Sequence, residues 1–526
     1  MSSLRDQSSY DVVVVGFGPS GAVAAALLGQ AGVRTLVVDR SDEVYPKPRA
    51  IALDHEIMRV FQNLGLQDAV APFCEPFTPS EYYGVDGQLI KRLATVEPPY
   101  PLGHTPSMVF TQPPVERALR EHVQAHPLVD VVLGQRFTGL EQTDREVAVR
   151  FEGADGRQAS VQARYVIGCD GASSSVREAV GIELEDLQFD EPWLVVDVQV
   201  NEQGLAKLPR TSVQYCEPER PCTYVIGPGN HRRWEISLLP GEDPAYMATE
   251  EGAWSVLRRW IGPEDASLWR QASYRFHALV ARDWRKGRVF IAGDAAHQQP
   301  PFLGQGMCQG VRDVANLAWK LHAVLTGAAR DAVLDTYAEE RREHVRRLTT
   351  RIKEIGAVIC ERDVAAARSR DAGLIAAAGG TIRTVPRQDI IPPLSGGLLD
   401  EDRSSGAGLL FPQPRVSGPE GPVLLDQLTG AGWRIVTTLR PDQLPPGLLP
   451  LALSLGALVC IAPGARECSI APQYLQAGEL DGVLAAWFER HHCCAAVVRP
   501  DHYVYGATDS GDALLHMVAE LLHRLK

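Results

Sequence analysis

A glycine-rich turn between an apolar strand and an alanine-rich helix constrains the fold of this chain more than any other feature. The run 10–15 predicts a buried strand, a helix is predicted over 22–31 after the turn, and a second strand, 35–38, leads to an acidic residue. This order predicts a βαβ unit whose helix N-terminus faces a pyrophosphate and whose distal carboxylate binds a ribose hydroxyl. The residues predicted to bind the dinucleotide here are Gly16, Gly18, Gly21, Asp39 and Arg40.

A second glycine-rich turn joins the strand predicted over 288–292 to a helix predicted over 307–321. Its acidic residue can accept hydrogen bonds from a polyol, and its glycines let a flat ligand approach the backbone. The helix directs free N–H groups and the positive end of its dipole at that ligand, which suits a ligand edge with negative charge. The binding residues predicted in this turn are Asp294, Gly304, Gly306 and Met307.

A third turn, an Asp-Gly pair that begins at Asp170, follows the strand predicted over 165–168. On its own, this pattern is typical of an ordinary turn that leads into a helix with a capping serine. Its place between the other two turns is what makes it informative.

Composition limits the classes of protein to which the chain can belong. Its 526 residues exceed the usual length of one domain, so we expect two or three. A net charge of −13, without a basic stripe, argues against a nucleic-acid or anionic-membrane partner. Residues 1–10 show no signal peptide, and the longest apolar stretch, 448–463, is too short and too interrupted to span a membrane. Ten scattered cysteines without Cys-x-x-Cys or metal-ligand spacing indicate reduced thiols, a cytoplasmic protein and no metal site.

The pattern of predicted elements divides the chain into four parts. Alternating strands and helices predict one nucleotide-binding domain made of residues 1–185 and 276–375. Residues 186–275 have the alternation of β-strands and predict an antiparallel sheet inserted into that domain. A high content of glycine, proline and serine predicts a linker over 376–422. Strand-like runs followed by a final helix predict a separate αβ unit over 423–526.

The three turns, in this order, resemble those of the FAD-dependent aromatic-ring hydroxylases of the para-hydroxybenzoate hydroxylase type, in particular the 3-(3-hydroxyphenyl)propionate hydroxylases. Further segments that carry the resemblance are 48–54, 112–116, 193–197, 316–321, 335–342 and 498–501. The resemblance implies an α/β fold: a Rossmann-like FAD-binding domain with an inserted antiparallel-sheet substrate domain and a thioredoxin-like C-terminal domain. Because the C-terminal unit lacks Cys-x-x-Cys, thiol–disulfide exchange is not predicted, and packing or homodimerisation is its expected role.

The resemblance also assigns roles toward a non-covalently bound FAD. Arg49 is expected beside the pyrophosphate or the flavin, and Gln112 at the ribityl chain or the isoalloxazine. Asp170 is expected to reach the pyrophosphate region through bridging groups, and Asp294 to bind the ribityl hydroxyls. The backbone at Met307 is expected to hold the flavin N1–C2=O edge.

One residue departs from the family pattern, since many relatives have asparagine where this chain has Cys308. A backbone contact with the flavin survives that change, whereas a side-chain hydrogen bond does not. We therefore expect the position or the redox tuning of the flavin to differ from that in those relatives.

NADH or NADPH is expected as a transient co-substrate, because the chain has no second dinucleotide fingerprint, and for the same reason the sequence does not distinguish the two. The resemblance implies that a C4a-hydroperoxyflavin transfers one atom of O2 to a small phenolic substrate of the phenylpropanoid-acid type. No catalytic residue is identified, and each candidate belongs to a residue type that more often packs than reacts. The catalytic candidates are His297, Pro300, Tyr215 and Tyr224, and further substrate-side candidates are Arg233, Trp234 and His104.

Two other functions agree with the same motifs. One keeps the chemistry but changes the substrate to a bulkier polyketide- or quinolone-type aromatic. The other is a flavin-binding reductase or regulatory protein that hydroxylates nothing. Oxidation of NADH or NADPH that rises with a phenol separates the hydroxylases from this last class.

Overall fold

The computed structural model of the protein describes residues 9–402, 404–463, 468–470 and 474–526. The prediction that residues 1–10 carry no signal peptide therefore lies largely outside the described residues. The strands are β1 Ser9–Val15, β2 Thr35–Val38, β3 Ala52–Asp54, β4 Cys74–Pro76, β5 Ser80–Tyr83, β6 Leu89–Ala94, β7 Ser107–Phe110, β8 Val129–Val132, β9 Gln135–Gln142, β10 Val147–Gly153, β11 Gln158–Gly168, β12 Leu184–Val200, β13 Ser212–Tyr215, β14 Cys222–Ile226, β15 His231–Ser237, β16 Ala266–Ala281, β17 Arg285–Lys286, β18 Val289–Ile291, β19 His297–Gln298, β20 Thr384–Pro386, β21 Arg415–Gly418, β22 Gly421–Leu424, β23 Arg434–Thr437, β24 Ala457–Pro463, β25 Ser469–Ile470, β26 Leu475–Glu479, β27 Ala495–Val498 and β28 Val504–Thr508. The α-helices are α1 Pro19–Gln30, α2 His55–Asn63, α3 Gln67–Val70, α4 Gln112–Gln124, α5 Ser175–Ala179, α6 Glu202–Leu205, α7 Pro244–Met247, α8 Glu250–Leu257, α9 Gly306–Leu325, α10 Asp335–Cys360, α11 Val364–Ala377, α12 Leu425–Thr429, α13 Leu448–Leu455, α14 Val483–Arg490 and α15 Gly511–Leu525.

A mainly parallel sheet forms the centre of the first domain, with the strand order β17-β18-β11-β1-β2-β8, and with β10 and β9 continuing antiparallel from β11. The central strand β1 pairs in parallel with β11 and β2 and is buried over most of its length, which explains its unbroken run of valines. Helix α1 follows β1 directly and packs against α9 and α4. This Rossmann-like arrangement confirms the predicted α/β fold class.

The second sheet is mainly antiparallel and has the order β19-β16-β12-β15-β14-β13-β5-β6-β20. Its long strands β12 and β16 pair over nearly their full lengths, and α7 and α8 pack against the sheet. Strands β5 and β6 come from the first part of the chain, and β20 comes from the segment predicted as a linker. They join this sheet because β5 pairs with the edge strand β13, β6 pairs with β5, and β20 pairs with β6. The sheet thus extends beyond residues 186–275, and the domain boundaries stay a prediction.

The C-terminal unit contains a third sheet, with the order β22-β21-β26-β24-β23-β27-β28 and with β25 paired to β26. Its core is β23–α13–β24, with parallel strands, followed by α14 and then by the antiparallel pair β27–β28 and α15. This strand order and these directions are thioredoxin-like. Strand β21 lies in the segment predicted as a linker and pairs with β26 at the sheet edge.

Buried charged and polar side chains join the C-terminal unit to the first domain. Glu340 on α10 accepts hydrogen bonds from Arg499 at 2.6 Å and from Lys320 on α9 at 2.9 Å. Arg499 also pairs with Asp501 at 2.7 Å, and Asn316 donates to Asp501 at 2.9 Å. All five residues are buried, and all lie in segments that carry the family resemblance. These segments therefore form a contact between two parts of the chain that are far apart in sequence.

Across the described residues, no helix combines the length and the apolar character needed to cross a bilayer. Within the same part of the chain, no group of three or more histidine, cysteine, aspartate or glutamate residues is arranged to hold a metal ion. All ten cysteines are free thiols.

We expect Arg499→Leu to destabilise the protein by about 3–5 kcal/mol, because it leaves buried carboxylates without their main counter-charge. Arg440→Gln, which breaks an exposed ion pair with Asp442, is the matched control and should leave the free energy of unfolding nearly unchanged, because solvent screens the pair. Urea unfolding of both variants, followed by tryptophan fluorescence, measures the difference. Equal effects would contradict a stabilising role for the buried pairs.

We expect the buried cluster of Glu340, Arg499 and Lys320 to make the protein less stable in acid. Burial opposes ionisation of Glu340, but the charges of Arg499 and Lys320 outweigh it and lower the Glu340 pKa to about 2. The resulting stabilisation is complete above the ordinary pKa of 4.5 and is lost as pH falls from there towards 2.

Candidate functional site

The N-terminus of α1 is shaped by glycines with two different functions. A Cβ on Gly21 would overlap the carbonyl oxygen of Gly16, and one on Gly16, whose φ is +104°, would overlap the Cys169 carbonyl. Gly18 caps α1 without a side-chain hydrogen bond, and a Cβ built there would have no heavy atom of the described residues within 4 Å apart from its chain neighbours. The first N–H groups of α1 therefore face a space that suits a phosphate.

Asp39 lies at the end of β2, where the βαβ pattern predicts a ribose ligand. Its carboxylate accepts hydrogen bonds from the backbone N–H groups of Phe17, at 2.5 Å, and Ser41, at 2.7 Å. These bonds hold the glycine turn against β2, and the neighbouring Arg40 side chain is exposed. Ribose binding by Asp39 stays a prediction.

The N-terminus of α9 has the same construction. Helix α9 begins at Gly306, and its N-cap Gln305 makes no side-chain capping bond. Apart from its chain neighbours and the adjacent helix backbone, no described atom would lie within 4 Å of a Cβ on Gly306. Gly304 has φ +65°, and a Cβ there would lie 2.7 Å from the Cβ of Ala52. The Cys308 thiol is buried and faces the Ala52 carbonyl, so the side chain that departs from the family pattern points into the core.

The Asp294 side chain is exposed, and no described residue hydrogen-bonds to it. Although Asp294 is open to solvent, the protein packed around it raises its pKa by partial desolvation, and the charges of His297 and Arg49 oppose that shift. Arg49 is therefore close enough to act on the same space, and its guanidinium lies 4.8 Å from the Tyr45 ring centre. The carboxylate is free to accept hydrogen bonds from a ligand.

The side chains of Gln112 and Asp170 accept hydrogen bonds from other groups of the protein. The Gln112 amide oxygen accepts from the backbone N–H groups of Arg49 and Ala50, at 3.1 and 2.6 Å, and so holds that segment in place. Asp170 accepts from the Ser174 hydroxyl at 2.5 Å and from Val176 N–H at 3.1 Å, which orders the turn into α5. The structure therefore places both residues as supports of the site, and their direct contacts with a cofactor stay predictions.

The four catalytic candidates mainly contact other residues of the protein in packed regions. His297 is 1% exposed, pairs with Asp313 at 2.8 Å and stacks on Trp284. Tyr215 accepts from the Trp260 indole N–H at 3.1 Å, and Tyr224 is fully buried within the second sheet's core. Pro300 is buried in the loop before α9. The structure brings no two of these four candidates into a shared hydrogen-bonded group among the described residues.

The substrate-side candidates are also buried or bonded to other residues of the protein. Arg233 pairs with Asp197 at 2.7 Å and donates to the Arg49 carbonyl at 2.7 Å, which ties the second sheet to the segment held by Gln112. Trp234 is fully buried. His104 contacts Gln62 at 2.7 Å, and burial, reinforced by the charge of Arg59, lowers its pKa to about 4.

A small cavity beside the loop that precedes α9 contains residues that the sequence did not single out. Its lining residues are Asp54, Ser107, Leu303, Gln305, Arg387, Gln388 and Ile391. Arg387 comes from the segment predicted as a linker, so no local motif could have indicated it.

A larger cavity, of about 520 Å³, lies between the first domain and the C-terminal unit. Leu27 and Ala31, at the C-terminal end of α1, contribute to its lining together with Trp319 and His502. Helix α1 has 12 residues and is about 18 Å long, so this cavity is remote from Gly18 at the other end.

Comparison with known proteins identifies the family. A family model described as FAD binding domain matches residues 9–352, and one described as HcaD C-terminal domain matches residues 408–524. A probable NADH-specific resorcinol 4-hydroxylase of Rhodococcus jostii is 36% identical over 522 residues, covering 98% of this chain and 95% of that protein. The chain belongs to the family of FAD-dependent aromatic hydroxylases.

Other members of the family agree with this assignment. A 3-(3-hydroxy-phenyl)propionate/3-hydroxycinnamic acid hydroxylase of Burkholderia cenocepacia is 33% identical over 525 residues, with 96% and 95% coverage. The flavin-dependent monooxygenase PieE, solved with FAD and substrate, has a TM-score of 0.81 at 22% identity, with 99% and 100% coverage. Aklavinone-11 hydroxylase, solved with FAD and aklavinone, has a TM-score of 0.78 at 24% identity, with the same coverage. At these identities the two solved structures support the fold alone.

The geometry fits FAD. Two helix N-termini without side-chain caps can receive the pyrophosphate and the flavin edge, since each has a glycine with open space around it, Gly18 at the N-cap of α1 and Gly306 at the start of α9. Asp294 offers an acceptor for the ribityl hydroxyls. The resemblance inferred from the three glycine-rich turns is thereby confirmed at the level of the family and its cofactor.

We expect Asp294→Ala to weaken FAD binding by about ten- to a hundredfold, because a charge-assisted hydrogen bond to the ribityl chain contributes about 1.5–3 kcal/mol. Folding should be retained, since Asp294 is exposed and has no described protein partner. Asp283→Ala, at another exposed aspartate, is the matched control. Titration of apoprotein with FAD gives the dissociation constants, and an unchanged value for Asp294→Ala would contradict its assigned role.

Proposed function

We propose that the protein is an NADH-dependent FAD monooxygenase that hydroxylates a small phenol, of the hydroxyphenylpropanoid-acid type, beside its hydroxyl group. The observation that carries the proposal is similarity along the whole chain, at 33–36% identity, to hydroxylases of small phenols. One relative is a probable NADH-specific hydroxylase, which supports NADH over NADPH as the reductant. The bulkier aromatics remain a second substrate class, although the solved structures that suggest them share too little sequence to favour it.

The chain's own residues would bind and orient the reactants. The N–H groups at the start of α1 would hold the pyrophosphate, those at the start of α9 the flavin edge, and Asp294 the ribityl chain. FAD, held without a covalent bond, supplies the hydride acceptor and the O2 chemistry. Release of all yellow colour on acid precipitation tests the non-covalent attachment.

Residues 299–305, between β19 and α9, form a loop at the predicted flavin edge that we call the flavin loop. An apolar wall where this loop meets the second sheet would exclude water from the reaction. Phe302 of the loop packs on Trp193, with ring centres 5.5 Å apart, and on Phe276, at 6.4 Å. Trp193 and Phe276 also stack on each other at 5.7 Å. If the reacting atoms lie beside this wall, its packing would favour hydroxylation over loss of the activated oxygen as peroxide, because it keeps bulk water away.

Two further parts of the proposal concern the cell and the assembly. Ten free thiols support a cytoplasmic location. A C-terminal unit without a reactive cysteine pair supports a packing role, and with it a homodimer, which analytical ultracentrifugation of the purified protein tests.

The proposal predicts that NADH oxidation by the purified holoenzyme is slow alone and rises at least about tenfold with 3-(3-hydroxyphenyl)propionate, equivalent to about 1.4 kcal/mol in the barrier. The flavin would thus be reduced mainly when substrate is present. 3-Phenylpropionate, which lacks the phenol, is the matched control and should yield no hydroxylated product. Stopped-flow flavin reduction together with product and peroxide assays measures both effects.

Other outcomes of that experiment discriminate between the alternatives. Stimulation by polycyclic phenols alone would favour the bulkier substrate class. A yellow protein whose NADH oxidation no phenol stimulates would favour a flavoprotein that is not an oxygenase.

The C-terminal cysteines should not take part in catalysis. Burial raises the pKa of Cys493 to about 11 and also raises that of Cys494, so both thiols stay protonated and are poor nucleophiles near neutral pH. We expect the double variant Cys493→Ser, Cys494→Ser to keep turnover within about threefold of the wild type, because a protonated thiol carries little nucleophilic chemistry. Loss of turnover with fold and FAD retained would show a function for this pair.

A further inference from the structure

The segment predicted as a linker delivers one arginine to the flavin loop. Strand β20 pairs in parallel with β6 at the edge of the second sheet, and Arg387 follows it directly. One Arg387 nitrogen donates to the Ser80 hydroxyl at 3.0 Å, and the other terminal nitrogen to the Leu303 carbonyl at 3.2 Å. The guanidinium is thereby held against the loop that leads into α9.

The charge of Arg387 has no counter-charge within the described part of the chain. No described carboxylate lies within 4.0 Å of its nitrogens, and its protein contacts are a hydroxyl, a carbonyl and the face of Phe77, 4.2 Å from the ring centre. Burial lowers the Arg387 pKa, as expected for a cation removed from water without an anion. Several other buried arginines pair with carboxylates, as Arg59 and Arg434 do with Asp426, Arg341 with Asp313, and Arg499 with Glu340. Arg177, like Arg387, instead donates to backbone carbonyls.

Arg387 lines the small cavity beside the flavin loop, and the one carboxylate in that lining is already engaged. One oxygen of Asp54 accepts from the backbone N–H groups of Glu56 and Ile57, and the other pairs with Arg312. Asp54 therefore does not neutralise Arg387. This cavity has a volume of only about 10 Å³, and the Arg387 side chain is part-exposed at it. A carboxylate held at the mouth of the cavity would supply the missing charge, because a part-buried guanidinium is stabilised by a carboxylate.

A second polar group in the cavity also lacks a partner. The Gln388 side chain donates to the Ser107 hydroxyl at 3.1 Å, whereas its amide oxygen is buried and has no hydrogen-bond partner among the described residues. A ligand that has both an anionic group and a hydroxyl would satisfy Arg387 and Gln388 together. Leu303 and Gln305, which also line the cavity, flank Gly304 at the predicted flavin edge, so this ligand would lie beside the reacting ring.

We propose that Arg387 is the specificity-determining residue that binds the carboxylate of a hydroxyphenyl acid, so that phenols with an acidic side chain bind in preference to uncharged phenols. This assignment rests on the proposed function and deepens it, because it chooses between acidic and uncharged phenols. Sequence similarity alone does not make that choice, since one similar hydroxylase is named for resorcinol, which has no carboxylate.

Three variants of the holoenzyme separate charge recognition from a structural role. Arg387→Gln removes the charge but keeps a hydrogen-bonding side chain, and Arg387→Lys keeps the charge. Arg383→Gln, at an exposed arginine four residues earlier, is the matched control.

Each variant is titrated with 3-(3-hydroxyphenyl)propionate and with its uncharged amide, and binding is followed by the change in flavin absorbance. Arg387→Gln should raise the Kd of the acid by about ten- to a hundredfold, as loss of a charge-assisted hydrogen bond does, and that of the amide by less than about threefold. Arg387→Lys should restore most of the affinity for the acid, and Arg383→Gln should change neither Kd. Where turnover occurs, KM for the acid should follow its Kd.

Equal weakening of acid and amide would overturn the proposal, because it is the result of a purely structural tie between Ser80 and Leu303. Unchanged binding of the acid to Arg387→Gln, or failure of the wild type to bind the acid, would also overturn it. Charge-selective binding by a wild type that forms no hydroxylated product would instead refute the proposed function and leave the anion subsite standing.

Discussion

The close approach of α1 to the centre of the parallel sheet and to α9 is the constraint on which the rest of the site depends. Gly21 must lack a side chain for α1 to start against the Gly16 carbonyl, and Gly310 must lack one for α9 to pass the hydroxyl of Ser20. These contacts bring two helix N-termini to the same side of the sheet. Because free N–H groups and dipole ends converge there, one elongated dinucleotide can bind both.

The C-terminal unit supports this arrangement at a distance, without a reactive group of its own. Tyr503 donates to Glu56 at 3.0 Å, Glu56 pairs with Arg312, and Arg312 donates to the Gln305 side chain at 2.9 Å. Gln305 is the N-cap of α9. A continuous set of buried polar contacts thus runs from the thioredoxin-like unit to the N-cap of α9. Docking of this unit and placement of the loop that precedes α9 are therefore physically linked.

The parts of the site that sequence reasoning predicted are the parts that a few neighbouring residues determine. The helix predicted over 307–321 begins at Gly306 and ends at Leu325, and the N-terminal βαβ unit has the expected strand, turn and helix. Tyr215 and Tyr224 illustrate the opposite case, since the alternation that placed them on strands does not say which face meets α7 and α8. Both contribute to the core on that side of the sheet, whereas Arg387, in a segment without a motif, reaches the flavin loop.

The sequence by itself determined the family, the cofactor and the two glycine turns, because backbone conformation at a glycine and the polarity of a helix end are local properties that a short motif specifies. The tertiary structure alone decided which charges are neutralised and which are left for a ligand. Gln112 and Asp170 are used internally, Asp294 remains accessible, and Arg387 meets no carboxylate among the residues that the structure describes. Apart from Asp170, whose partners Ser174 and Val176 are close in sequence, that outcome depends on residues tens to hundreds of positions away, which come together only when the sheets and the C-terminal unit have packed.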